Sequence, residues 1–157
     1  MLDAGRCIDK REPPAVLFAQ IGGGPMRTRP ALTAADVQKM VAACRAEAAK
    51  NKWSVSMAVV DDAGHLLYLE RLDGAGPMTA EVAAGKARTA ALTRRPTKFW
   101  EDRVKERAVF LKFPDNLPIQ GGVPIVYQGE CVGAIGVSGV QSHEDEQIAT
   151  AGIAALG

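Results

Sequence analysis

Residues 121–139 read GGVPIVYQGECVGAIGVSG. The apolar spacing predicts two strands, 123–127 and 130–138, reversed over Gln128-Gly129. Glycine in the second turn position accepts positive φ without a Cβ clash, so the chain can turn back within two residues. The second strand carries Gly133, Gly136 and Gly139 among Val132, Ile135 and Val137. Glycine weakens a strand unless another backbone, a helix or a ligand comes close to it. Two readings of that run are open: a helix seated on the strand, or a face kept bare for a ligand. They are compatible, one for each face of the sheet.

Working outward, 53–60 predicts a strand with Trp53, Val55, Met57 and Val59 on one face. Asp61-Asp62-Ala63-Gly64 supplies turn chemistry, and 65–72 returns as a second strand. A short edge strand is expected within 112–120, where Pro114 and Pro118 cannot donate to a sheet ladder. Four helices complete the pattern. The first opens on a capping box, Thr33 with Asp36, and sets Val37, Met40, Val41, Cys44 and Ala48 on one face. The second spans about 78–92, with Met78, Val82, Gly85, Thr89 and Leu92 expected toward the sheet. The third runs from Thr97, a candidate cap, to Phe110. The last opens at 142–145 and continues to Leu156, with Ile148 and Gly152 inward.

These elements predict a single α+β domain, a central antiparallel sheet of about five strands with flanking helices. Residues 32–157 form it. Residues 1–31 read as an N-terminal arm or extension, because breakers at 10–14 and 22–25 flank only the short apolar piece 15–21. A chain of 157 residues buries one substantial core without disulfides. Its 19 basic and 18 acidic side chains argue against a nucleic-acid or membrane-surface protein. The three cysteines, Cys7, Cys44 and Cys131, have no CxxC spacing and fit a cytoplasmic protein. The 15–21 run is too short to span a membrane.

The GGVPI run, its hairpin and GAIGVSG, preceded by VVDDAGHLLYLERLDGA and GKARTAALTRRPT in that order, resemble the GlcG/HbpS-like haem-binding family, which is related to the C-terminal domain of PduO. The resemblance covers about 32–156. It implies a profilin-like arrangement and a homo-oligomer. It also makes haem or another tetrapyrrole the leading small-molecule ligand.

Familiar catalytic signatures are missing from the sequence. There is no GxSxG elbow and no HExxH, and Gly133-x-x-Gly136-x-x-Gly139 lacks the dinucleotide spacing. No metal site is expected. The acidic run 144–146 reads as the first turn of a helix, and Asp61-Asp62 as turn residues. The ligand-binding expectation falls on Lys86, Thr89, Gly121, Gly122, Gly136 and Ser138: a glycine-bared sheet with a basic group for an acidic ligand. Lys86 lies on the buried side of its helix and Arg88, about 200° away, on the other. His65, His143, Met78 and Cys131 all carry donors able to bind haem iron, and the sequence singles out none of them. The readings in competition are an enzyme acting on a small organic acid near Lys86, Arg88 and Ser138, and a structural oligomer subunit. Phe99, Trp100, Phe110 and Phe113 are expected in the core or at a subunit contact.

Overall fold

The computed structural model describes residues 27–112, 114 and 116–157. The apolar piece 15–21, Cys7 and Phe113 lie outside them.

Helix α1 (Ala34–Asn51) begins as its sequence dictates. Thr33 Oγ1 accepts from the Asp36 N–H at 3.2 Å and Asp36 Oδ2 accepts from the Thr33 N–H at 2.9 Å. It buries Val37, Met40, Val41, Cys44 and Ala48, the five positions at helical spacing, and ends at Lys52 in the left-handed region. Strands β1 (Ser56–Asp61), β2 (Leu66–Arg71), β3 (Gly122–Tyr127) and β4 (Glu130–Ser138) form one antiparallel sheet in the order β2-β1-β4-β3. The β3–β4 reversal has Gln128 and Gly129 at φ 49° and 82°, the paired positive values of a tight hairpin turn.

The central strands β1 and β4 are covered on both faces. On one face α1 and α4 (Ser142–Ala154) enclose Met57, Val59, Ile135, Val137 and Ile148. On the other, α2 (Thr79–Thr93) meets the sheet through Ala83, Ala87, Ala90 and Ala91, against Ala58, Val60 and Ala134. Gly136 explains that second contact. A Cβ there would stand 2.1 Å from the Ala83 carbonyl oxygen and 2.4 Å from the Ala87 nitrogen. The helix backbone therefore rests on the strand, and only small residues fit between them. Of the two readings of the glycine run, the seated helix holds at Gly136.

Four expectations change. Among the described residues the sheet has four strands rather than five, and residues 116–121 run without strand pairing through Pro118. Thr89 is buried as expected, but the rest of the inward face of α2 is an alanine row with Lys86, while Met78 and Leu92 are exposed; hydrophobic size misplaced these positions because the glycine-bared strand selects small side chains. Helix α3 (Thr97–Glu106) stops short of Phe110, and a 3-10 turn, Ala108–Lys112, follows. Thr97 is no cap: its hydroxyl is buried, accepting from the Gly122 N–H at 2.8 Å. Phe99, Trp100 and Phe110 pack edge to face on one another, outside the two main cores, with Arg95 and Arg103 over Phe99 and Arg107 over Phe110.

Candidate functional site

The residues expected to bind a ligand come together, but in the interior. Lys86 is 1% exposed and reaches from α2 past the end of the sheet to the first turn of α4. Its Nζ donates to Asp145 Oδ2 at 2.7 Å and to the Val137 carbonyl at 2.9 Å. Asp145 Oδ1 accepts from the Val140 N–H at 3.2 Å. The two glycines leave room for this crossing. A Cβ on Gly121, whose φ is 121°, would stand 2.8 Å from Lys86 Nζ and 2.8 Å from Asp145 Cβ. One on Gly122 would stand 2.4 Å from the Lys86 carbonyl oxygen. Thr89 is buried too, its hydroxyl accepting from the Leu117 N–H at 2.7 Å, and Ser138 is paired in register with Ser56 on β1.

Lys86 and Asp145 thus join helices on opposite faces of the sheet. Burial pushes the Asp145 carboxyl above the usual carboxylate range, and the Lys86 ammonium opposes that shift without cancelling it. A buried ion pair is a weak stabiliser as a pair but costly to break, because the survivor is left uncompensated. With Nζ engaged by two protein acceptors, this lysine offers no charge to a ligand at the surface. Asp145 escaped the sequence reading, although a signal existed: it lies three positions before Ile148, on the same inner face of α4.

The opening that a ligand can enter lies elsewhere. A pocket of about 470 Å³ sits at the β3–β4 hairpin between the start of α1 and the end of α4, lined by Leu32, Ile125, Val126, Val132, Ile153 and Leu156, with Asp36 and Tyr127 as its polar-bearing side chains among the described residues. An adjoining recess shares Pro30 and is lined by Thr28, Arg29, Gln128 and Glu130. Arg29 pairs with Asp62 at 3.2 Å and Arg27 with Glu130. Asp36 is committed to the α1 cap, whose hydrogen bonds from Thr33 hold its carboxyl below the usual range. These two cavities give an apolar floor with the Arg29 side chain at one end. The spacing of apolar residues within single elements could not reveal them, since their walls come from three separated segments, 28–36, 125–132 and 153–157.

None of the four donors considered from sequence lines this pocket. His65 is exposed near Asp61, with Nδ1 and Oδ2 3.3 Å apart, and Asp61 Oδ1 accepts from the Ala63 and His65 N–H groups as turn chemistry requires. Met78 and His143 are exposed, and Cys131 Sγ lies 3.4 Å from the Gly133 carbonyl. Among the described residues no group of three His, Cys, Asp or Glu side chains is placed to hold a metal ion, and no helix is long and apolar enough to cross a membrane.

Residues 32–154 match the family described as haem degrading protein HbpS-like. Protein GlcG of Escherichia coli K12 is 46% identical over 114 residues, 72% of this chain and 85% of the relative. A double mutant of Streptomyces reticuli HbpS superposes with a TM-score of 0.85 at 36% identity, covering 92% of this chain and 99% of that one. A PduOC:heme complex superposes with a TM-score of 0.75 at 25% identity, over 80% and 95%.

Proposed function

Since this chain belongs to the HbpS-like family, we propose that it is a small-cofactor binding accessory protein whose ligand, haem or another tetrapyrrole, occupies the pocket beside β3. The observation that carries this reading is the joining of an apolar pocket of about 470 Å³ to a recess holding Arg29. A tetrapyrrole needs both: an apolar wall for its ring and cations for its propionates. Leu32, Val126, Ile153 and Leu156 would meet the ring, and Arg29 would meet the acids. The haem complex of the structural relative PduOC supports the ligand class. The interior placement of Lys86 argues against the competing enzyme site around it.

The test is a titration of the full chain with haemin, followed by the Soret band. Val126→Glu places a charge on a wall residue that is 60% exposed, so folding tolerates it. Binding weakened at least tenfold by that change is expected. No Soret shift in the wild type, or unchanged affinity in the variant, overturns the assignment. A homo-oligomer belongs to the same reading, supported by exposed Leu66, Leu67 and Leu69 on the edge strand β2. Light scattering showing a monomer at micromolar concentration would count against it. So do a profilin-like layout and a cytoplasmic location belong to it; the latter suits the free thiols of Cys44 and Cys131.

A further inference from the structure

Resting on that reading, we propose that Tyr127 is the side chain that donates to the iron of a ferric tetrapyrrole in the β3 pocket. Among the described residues lining the pocket, only Asp36 and Tyr127 carry side-chain oxygen donors that ferric iron accepts. Asp36 already accepts from the Thr33 N–H and hydroxyl, at 2.9 and 2.7 Å. Tyr127 is differently placed. It is the last residue of β3, paired across the ladder with Glu130, so its backbone is fixed by the sheet immediately before the reversal. The residue is 54% exposed, and among the described residues its hydroxyl accepts from the Gln128 amide alone, at a long 3.4 Å. It also lies where the apolar pocket gives way to the recess of Arg29, since the next residue, Gln128, lines that recess.

A phenolate is a hard oxygen donor with an established place among haem ligands. To serve here the Tyr127 phenol releases its proton to solvent, and its oxygen takes the coordination position that a water molecule leaves. No electron is transferred. Loading the protein therefore releases one proton per haemin from this residue.

The experiment compares full-length wild type with Tyr127→Phe, which keeps the ring and removes the oxygen. Each is titrated with haemin and, separately, with metal-free protoporphyrin. Expected for Tyr127→Phe are a tenfold or greater loss of haemin affinity, loss of the phenolate-to-iron charge-transfer band, and unchanged binding of the metal-free ring. If the variant keeps the wild-type haemin spectrum, Tyr127 is not the donor and the tetrapyrrole reading still stands. If both ligands weaken together, the ring acts by packing and the ligation inference fails. If wild type binds neither compound, the tetrapyrrole reading fails with it. A circular-dichroism melt of the variant matching wild type confirms that the fold is intact.

Discussion

Replacing Lys86 by methionine tests the buried crossing between the two helical layers. The stem keeps its packing, while Asp145 and the Val137 carbonyl lose their donor at 2.7 and 2.9 Å. Both side chains of the pair are no more than 3% exposed, so solvent does not stand in for the missing ammonium. Breaking one half of such a pair costs about 3–5 kcal/mol. For a domain of this size that lowers the melting midpoint by roughly 6–20 °C, at about 2–4 °C per kcal/mol. The loss is pH-dependent, with a definite sign. Burial already holds the Asp145 carboxyl above its unfolded value of 3.8, and removing Lys86 raises it further. A raised carboxyl contributes stability that is fully present below the unfolded value and is lost as pH rises through the folded one. Lys86→Met is therefore expected to lie nearest wild type around pH 4 and furthest at pH 8. Urea denaturation at both values reads this directly. Adding Asp145→Leu to Lys86→Met removes the stranded carboxylate and should recover much of the loss. A single mutant within about 0.5 kcal/mol of wild type at pH 8, or a double mutant no better than the single, would refute the reasoning.

Gly136→Ala drives a Cβ to 2.1 Å from the Ala83 carbonyl, which helix backbone cannot yield without moving α2. A loss of about 1–3 kcal/mol is expected from such overpacking, and an unchanged urea midpoint would mean that the helix slides freely. Cys44 is buried against the Ile148 carbonyl and its thiol is pushed up to about 12 by desolvation. Peptide mapping after iodoacetamide at pH 8 should find it unmodified in the native protein, with labelling appearing only at the unfolding rate. Labelling faster than unfolding would contradict its burial.

The parts of the fold legible in the sequence were those where local rules act alone. The Thr33–Asp36 cap and the buried row of α1 needed only helical spacing and one side-chain hydrogen bond. The Gln128-Gly129 reversal followed from backbone freedom at one residue. The sheet-facing row of α2 did not, because its small side chains are selected by Gly136 on a strand some fifty positions away. Lys86 was placed on the buried side correctly, yet its partner lies 59 residues on, and without Asp145 its charge looked available to a ligand. The pocket beside β3 was invisible for a similar reason: Leu32, Ile125, Val132 and Ile153 converge only after the chain has closed on itself. Family resemblance supplied the ligand class, which no local rule contained.

The alanine row by which α2 meets the sheet has a consequence for how this protein tolerates change. Alanine has no rotamers to freeze, so apart from Lys86 and Thr89 the buried side of α2 costs backbone entropy and little from side chains. The opposite layer, with Met40, Met57, Ile135 and Ile148, must order many torsions, but it has side chains that can rearrange around a substitution. One side of the sheet is therefore adaptable and the other rigid. Sequence drift should collect among the branched and sulfur-bearing residues under α1 and α4. Under α2, where backbone touches backbone, an added methyl has nowhere to go.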